Sequence, residues 1–470
     1  MNIGIDVGTT SIKVVVIDIK NKKSTSISRN HDSTISNLPS PYHEQDPKKI
    51  IETIVSLLND INQFINEGDV MSIRICGQMH GIMLWDSNIS RDLEICSNLI
   101  TWMDGRCDDN FIKNIYSGNY IVSKGFGFVS LLWLVKNNFN YVKSFNRCGT
   151  IMDFVCCYLS NDFNNVSVTD QNAYSWGFFN RDKNEFDKEI LTKLFPVSFF
   201  DNIIKLPSVT SSDKMIGVTR NSIKNIGLKE NIKIMASLGD LQASLSVTKL
   251  NTSTAFIIIG TSGQISFILK DDDKVIEKLK NNKKIMRNIF IQNYSAWTGA
   301  LMNGGNSLSS VVKLICNLYS QLVSKKENIN EDEMWDKLLN INPNIQEVLK
   351  NKLSVDQLFI PERAEKAKNN IKGLIISGLM EDTGIDEIFP AIAYKIIHNM
   401  HEIISSSLLA SLGISRIILI GKGTTPLFKS FIEHFYNNQH IVDTNNDTFG
   451  NIYLDAAFGS SIYDYNILNH

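Results

Sequence analysis

One short pattern occurs twice in this chain, and it constrains the fold more than any other feature. The segments IGIDVGTTSIKVVVI at 3–17 and FIIIGTSGQISFIL at 256–269 each contain a strand-like run, a Gly-Thr-Thr or Gly-Thr-Ser turn, and a second strand-like run. Runs of β-branched residues joined by such turns are typical of β-hairpins. A hairpin repeated after about 250 residues favours two related domains. The length of 470 residues also exceeds what one ordinary core accommodates.

The segments after the first hairpin predict an α/β domain. Asp46 and Pro47 are typical of a helix start, and apolar residues at helical spacing follow them. Residues 71–76 predict a strand, and GQMHG at 77–81 follows at its carboxyl end. Open α/β sheets tend to bind ligands at this end of their strands. The loop is therefore a candidate site.

The second half repeats this order of elements. Residues 390–412 predict a long helix, residues 416–420 a strand, and GKGTT at 421–425 a Gly-rich loop before a helix that begins at Pro426. We expect a domain boundary near Ala236. The predicted domains are 1–236 and 237–470.

Composition excludes several classes of function. A hydrophobic content of 43% and a net charge of −2 are ordinary for a globular protein and provide no basic field for nucleic acid. Seven cysteines without a CxxC pair predict reduced thiols and a cytoplasmic location. The N-terminus lacks the pattern of a signal peptide, and apolar runs such as 131–135 are far shorter than the ~20 residues of a membrane span. We expect neither nucleic acid nor membrane as a partner.

The two Gly-rich turns suit a triphosphate. Their N–H groups and hydroxyls converge on an anion, and glycine permits its close approach. Asp6 precedes the first turn and is a candidate to hold Mg²⁺ through water, while Lys13 adds positive charge. Either turn alone is more often a plain hairpin turn, so the prediction depends on the pair. The candidate phosphate ligands are Gly8, Thr9, Thr10, Gly260, Thr261 and Ser262.

Five further segments resemble the FGGY carbohydrate kinases. They are GQMHG at 77–81, TWMDGR at 101–106, TDQNAYSWG at 169–177, LGDLQAS at 238–244 and LMNGGN at 301–306. With the two hairpins, the resemblance extends from Ile3 to Ser460. It implies an α/β fold of two ribonuclease-H-like lobes, similar to actin and hexokinase, with an interlobe cleft for ATP and sugar.

The resemblance also implies a role for individual residues. Asp240 would be the catalytic general base, and Asp6 would be the acid associated with the cofactor Mg²⁺. A sugar presents many hydroxyls, which suits a pocket of directional donors and acceptors. The implied sugar-binding residues are Gln78, Met79, His80, Trp102, Asp104, Arg106, Asn172 and Asp240. Gly304, Gly305, Gly421 and Gly423 would join the hairpin residues and Lys13 in binding the co-substrate ATP.

The substrate is implied less directly than the family. The combination of GDLQAS, DQNA with SWG, and NGGN favours sedoheptulose, phosphorylated to the 7-phosphate. Kinases of xylulose and ribulose share the hairpin, the Met-His loop and the Gly-Asp pair, and they stay as alternatives. A catalytically silent, actin-like sugar-binding protein is a third, although it would not need Asp240. Two positions depart from the family pattern: Pro361 replaces the glycine of a Gly-Glu-Arg signature, and Lys422 interrupts a Gly loop. The oligomeric state is left open.

Overall fold

A computed structural model of the chain covers most of its length. It describes residues 1–65, 70–89, 93–94, 96–115, 118, 120, 122–220, 228–280, 282, 284–322, 331–350, 353–360, 373–443 and 454–468. The family departure at Pro361 lies outside the described residues.

The chain divides into two compact units. Unit 1 comprises Met1–Leu250, Ile289–Ile291 and Thr448–His470, and unit 2 comprises Asn251–Asn288 and Gln292–Asp447. These bounds differ from the predicted domains 1–236 and 237–470. The strand that begins before Ala236 continues through Gly239 in the sheet of unit 1, so the helix of Asp240 stays with that unit.

The described residues form 22 β-strands and 17 α-helices. The strands are β1 Asn2–Val7, β2 Ser11–Asp18, β3 Lys23–Asn30, β4 Glu44–Gln45, β5 Ser72–Gly77, β6 Met83–Trp85, β7 Leu99–Ile100, β8 Arg147–Gly149, β9 Ser167–Thr169, β10 Phe179–Asn180, β11 Glu185–Phe186, β12 Ser208–Thr210, β13 Met215–Val218, β14 Lys233–Gly239, β15 Thr254–Ile259, β16 Gly263–Lys270, β17 Ile285–Ile291, β18 Tyr294–Leu301, β19 Ser354–Gln357, β20 Ile375–Ser377, β21 Arg416–Gly421 and β22 Ile441–Asp443. The α-helices are α1 Pro47–Asn62, α2 Asp109–Lys113, α3 Gly127–Asn137, α4 Phe139–Val142, α5 Ile151–Ser160, α6 Asp170–Ser175, α7 Lys188–Leu194, α8 Phe199–Asn202, α9 Asp240–Leu245, α10 Asp273–Lys280, α11 Gly305–Leu322, α12 Glu331–Leu339, α13 Ile345–Lys350, α14 Ile385–Ile403, α15 Ser406–Ser411, α16 Pro426–Tyr436 and α17 Ala456–Tyr463. A 3₁₀ turn spans Lys422–Thr424, and a π-helical turn spans Asp464–Leu468.

The main sheet of unit 1 has the order β13-β14-β5-β1-β2-β3. Strands β1, β2 and β3 are antiparallel neighbours, whereas β5 runs parallel to β1 and β14 runs parallel to β5. In register, Gly77 of β5 is opposite both Val7 of β1 and Gly239 of β14. The three parallel strands therefore end at the same level.

The main sheet of unit 2 has the order β17-β18-β16-β15-β21-β22. Strands β18, β16 and β15 are antiparallel neighbours, and β21 and β22 continue the sheet in parallel from β15. This is the arrangement of β3, β2, β1, β5 and β14 in unit 1. The repeated hairpin thus occupies the same place in both sheets, and the two predicted α/β sheets are confirmed.

The last helix of the chain packs against the first sheet, which requires glycine at two positions. A Cβ on Gly4 of β1 would lie 2.0 Å from the carbonyl oxygen of Ala457 in α17. A Cβ on Gly459 of α17 would lie 1.8 Å from the carbonyl oxygen of Ala243 in α9. Helix α17 therefore touches the strand that contains Asp6 and the helix that begins at Asp240.

One predicted helix is two helices in the structure. The helix expected over 390–412 begins earlier, at Ile385, and ends at Ile403. The backbone of Ile404 is extended, and the Ser405 side chain then accepts a hydrogen bond from the Leu408 N–H to cap α15. Among the helices that the structure describes, none has both the length and the apolar character that a membrane crossing requires.

Candidate functional site

The carboxyl ends of β1, β5 and β14 form the candidate site of unit 1. Glycine is required where they meet, because a Cβ on Gly77 would lie 2.5 Å from the Val7 carbonyl oxygen. A Cβ on Gly239 would likewise lie 2.5 Å from the sulfur of Met79. Met79 is buried in the loop after β5. Gly239, the residue before Asp240, is therefore in direct contact with the Met-His loop after β5.

Asp240 is the first residue of α9 and is partly buried. Its Oδ1 accepts a hydrogen bond from the Leu241 N–H at 2.7 Å. Burial raises the pKa of Asp240 to about 6, although the backbone hydrogen bonds oppose this rise. The carboxylate is thus ionised at neutral pH but is more basic than an ordinary aspartate.

Asp6 lies on β1 close to two other acids. Burial raises the pKa of Asp6 well above its usual value, and the negative charges of Asp240 and Asp455 add to this effect. Lys13 opposes the rise, and its ammonium group forms an ion pair with Asp455. The Oδ1 atom of Asp6 is buried and has no hydrogen-bond donor among the described residues. An anionic cluster of this kind would gain from a cation.

The carboxylates around Asp6 suit a magnesium ion that is bound through water better than one that is bound directly. Within the described ranges, no group of three or more His, Cys, Asp or Glu side chains is placed to hold a metal ion. Mg²⁺ usually keeps several waters and takes one or two carboxylates. The orphaned oxygen of Asp6 is suited to such a hydrated ion.

His80 has an orientation fixed by α6. Its Nδ1 is 2.8 Å from the carbonyl oxygen of Ser175, and its N–H donates to the Ser175 hydroxyl at 3.3 Å. Its ring stacks on Phe126 with a centroid distance of 4.7 Å. A carbonyl oxygen only accepts, so Nδ1 carries the proton. In the neutral ring, Nε2 is consequently the acceptor. The left-handed backbone of His80, with φ of 73°, shows that the loop geometry is imposed by its surroundings.

Trp102 joins the first hairpin turn to the predicted sugar residues. Its indole N–H donates to the Thr9 hydroxyl at 3.0 Å. The backbone at Gly125 packs closely against Trp102, since a Cβ on Gly125 would lie 2.2 Å from the Trp102 carbonyl oxygen. Thr10, by contrast, is exposed. Thr9 therefore has a structural partner that the sequence did not indicate.

Asp104 and Arg106 pair with each other. The Arg106 guanidinium donates to both oxygens of Asp104 at 2.8 Å, forms an ion pair with Glu44, and lies 4.3 Å from the ring centroid of Tyr42. Burial lowers the pKa of Arg106, but the hydrogen bonds to Asp104 and Glu44 outweigh burial, and the net shift is upward. Asp104 also accepts from the His43 N–H at 2.7 Å. The structure thus gives both residues a pairing role, and direct contact with a sugar stays a prediction.

Several buried amides in unit 1 present oxygens that lack a donor. The Gln78 amide donates to Gln45 Oε1 at 2.9 Å, and the Asn172 amide donates to the Ser237 hydroxyl at 3.3 Å. The oxygens of both amides are buried without a donor among the described residues. A buried acceptor without a donor costs about 1–3 kcal/mol, which a hydroxyl-rich ligand is suited to offset.

Two further amides were missed by reasoning from the sequence. Gln171 donates to the Phe290 carbonyl oxygen at 2.5 Å, and Gln242 donates to the Ile289 carbonyl oxygen at 2.9 Å. Both glutamines belong to motifs quoted above, but nothing local indicates that they would bind the end of β17. The carbonyl groups that they bind lie in Ile289–Ile291, a segment that belongs to unit 1.

The glycines of unit 2 meet at the second hairpin turn. The Gly305 N–H donates to the Gly260 carbonyl oxygen at 2.9 Å. A Cβ on Gly304 would lie 2.5 Å from the carbonyl carbon of Ser262. Thr261 accepts from the N–H of Asn306, in the first turn of α11. The structure therefore brings the hairpin turn and the start of α11 together, and their binding of a nucleotide stays a prediction.

Lys422 lies beside this turn. Gly421 has a left-handed φ of 65°, and a Cβ there would lie 2.7 Å from the Ile259 carbonyl oxygen. The Lys422 ammonium lies 5.1 Å from the ring centroid of Trp335, and burial lowers its pKa. Gly423 is buried behind it. The cation is therefore held against unit 2 and is only partly exposed.

Known proteins provide an independent comparison. The family model for the N-terminal domain of the FGGY family of carbohydrate kinases matches residues 1–246. Sedoheptulokinase of Mus musculus is 25% identical over 441 residues, covering 89% of this chain and 88% of the mouse protein. A ligand-bound xylulose kinase from Lactobacillus acidophilus has a TM-score of 0.69 at 19% identity, covering 98% of this chain and 88% of that one. Plasmodium falciparum glycerol kinase with ADP has a TM-score of 0.69 at 18% identity, with coverage of 98% and 88%.

Proposed function

Because the chain belongs to the FGGY family of carbohydrate kinases, we propose that it transfers the terminal phosphoryl group of ATP to sedoheptulose, forming the 7-phosphate and ADP. The substrate assignment is supported by the match to sedoheptulokinase over most of both chains. The observation that carries the chemistry is the Asp240 carboxylate, which is partly buried, raised in pKa and adjacent to the Met-His loop.

Asp240 acts as the general base in this proposal. Phosphoryl transfer has a loose transition state, so the protein contributes mainly position and charge. The Asp240 carboxylate orients the terminal hydroxyl of the sugar and accepts its proton as the bond to phosphorus forms. A pKa of about 6 leaves the base ionised at neutral pH while increasing its proton affinity.

His80 selects the sugar by accepting a hydrogen bond. With Nδ1 donating to the Ser175 carbonyl oxygen, the acceptor of the neutral ring is Nε2. Gln78 and Asn172 offer amide oxygens in the same way. A ketose supplies several hydroxyl donors to these acceptors.

The turns bind the anionic co-substrate. The N–H groups and hydroxyls of Thr261 and Ser262 bind phosphate oxygens, and the adjoining N-terminus of α11 adds the favourable end of its helix dipole. The water-mediated magnesium ion that Asp6 would hold supplies charge compensation to the phosphates. Free thiols at all seven cysteines support a reducing compartment, and we place the enzyme in the cytoplasm.

The activity should fall on the acid side of the Asp240 pKa. A protonated Asp240 cannot accept the hydroxyl proton, so kcat/KM for the sugar is expected to be constant above that pKa and to decline below about pH 6. An ADP-release assay with saturating MgATP measures the profile, and doubling the coupling enzymes checks that they do not limit the rate. A flat profile down to about pH 5 would contradict the assignment.

A ketose panel tests the substrate. We expect kcat/KM for sedoheptulose to exceed that for xylulose and ribulose by at least about tenfold, a difference of ~1.4 kcal/mol in transition-state binding. Equal or better turnover of xylulose would identify a pentulose kinase. Binding of a ketose without ADP release would instead favour the silent sugar-binding protein.

A further inference from the structure

We propose that Asp153 and Ser237 are positioning residues that hold the Asn172 amide with its oxygen directed to a substrate hydroxyl. The inference rests on the proposed function, because it needs a polyhydroxyl substrate. Asp153 lies on α5, Ser237 on β14 and Asn172 on α6, and all three belong to unit 1. None of the family motifs contains Asp153 or Ser237.

The first link joins a buried carboxylate to a hydroxyl. Asp153 is 1% exposed, and its Oδ2 accepts from the Thr150 N–H at 2.9 Å as part of a capping box. Its Oδ1 accepts from the Ser237 hydroxyl at 2.8 Å. A carboxylate can only accept, so the proton of the Ser237 hydroxyl is committed to Asp153.

The second link fixes the amide. With its proton committed, the Ser237 oxygen can only accept, and it does so from Nδ2 of Asn172 at 3.3 Å. The other end of that amide, Oδ1, is therefore directed away from Ser237. If the Asn172 amide were flipped, its Oδ1 would face the Ser237 oxygen, and both atoms would be acceptors. The side chain of Asn172 is fully buried. Asp153 does not touch it but thus sets its orientation through Ser237.

The third link connects this amide to the sugar loop. The Ser175 hydroxyl donates to the carbonyl oxygen of Asn172 at 2.7 Å and accepts from the His80 N–H at 3.3 Å. Asn172 therefore lies within the same hydrogen-bonded network as His80. Its Oδ1 is buried without a donor among the described residues, which leaves an acceptor to be satisfied by a substrate hydroxyl.

A Ser237→Ala variant tests the inference. It removes the acceptor that holds Nδ2 of Asn172, so KM for the preferred ketose is expected to rise about tenfold, while KM for ATP stays within about twofold. Ser237→Thr retains the hydroxyl and should restore KM for the ketose. If the alanine variant does not accumulate as folded protein, Ser237→Cys has nearly the size of serine and a much weaker acceptor, and it should raise the same KM.

Ser266→Ala is the matched control. Ser266 is a fully buried strand serine of unit 2, and it shares a hydrogen bond of 3.0 Å with Thr298. Its loss should lower stability to denaturant without a rise in KM for the ketose. If Ser237→Ala behaves as Ser266→Ala does, the network is only structural and the inference is wrong.

A double variant distinguishes a specific effect of Ser237 on the Asn172 amide from a general loss of stability. On an Asn172→Ala background, Ser237→Ala should add less than about twofold to KM for the ketose, since the amide that it positions is absent. Additive effects would overturn the inference. An inactive wild type across the ketose panel would instead overturn the proposed function, and this inference with it, whereas an active wild type with unchanged KM in Ser237→Ala overturns the inference alone.

Discussion

Asp240→Asn is expected to lower kcat for sugar phosphorylation by about 10²–10⁴-fold, the usual contribution of a general base. The amide has the shape of the carboxylate and can still accept from the Leu241 N–H, as Oδ1 of Asp240 does at 2.7 Å. It cannot take up the proton of the sugar hydroxyl. KM for ATP should change little, and the midpoint of denaturation should not fall, because removal of this charge relieves repulsion with Asp6.

The matched control for this variant is Asp187→Asn. Asp187 also lies at a helix start, where its side chain accepts from the Ile190 N–H, and asparagine caps helices as well as aspartate does. We expect the control to retain the kcat of the wild type. An Asp240→Asn enzyme with kcat within tenfold of the wild type would remove the general base from the mechanism.

The position of Asp240 could be predicted because its signal is local. Asp240 was identified through the family resemblance of LGDLQAS at 238–244, which is one continuous run of residues, and the structure has Gly239 at the end of β14 and Asp240 at the start of α9. The repeated hairpin was equally readable, since each copy is a continuous run of residues. Both features depend on neighbours in sequence.

The partners of these residues could not be predicted, because they come from distant parts of the chain. Asp455 follows Lys13 by 442 residues, yet the two form an ion pair. Helix α17, which follows Asp455, packs against Gly4 of β1 at the other end of the sequence. Similarly, nothing in the local sequence of β17 indicates that its last residues bind Gln171 and Gln242. Such contacts follow from the three-dimensional arrangement of segments that carry no local signal.

Helix α17 packs so closely on α9 that we expect Gly459→Ala to lower the stability of the protein more than any other small substitution. The new methyl group would lie 1.8 Å from the Ala243 carbonyl oxygen, and that oxygen belongs to helix backbone and has no rotamer to change. Either helix must move. Added volume in a packed core costs typically about 1–3 kcal/mol, and a collision with backbone should fall at or above the upper end of that range.

Chemical denaturation of the full chain measures this cost, with Ser461→Ala as the control on the same helix. Among the described residues, the Ser461 hydroxyl donates to the Phe458 carbonyl oxygen of its own helix, so its replacement should change the free energy of unfolding by less than about 1 kcal/mol. A displaced α17 would also shift Asp455 at its N-cap and Asp240 at the start of α9. Folded Gly459→Ala enzyme should therefore lose kcat as well as stability, since an error of about 1 Å in a catalytic group costs up to ~10²-fold. Wild-type stability in this variant would show that the two helices do not pack at Gly459.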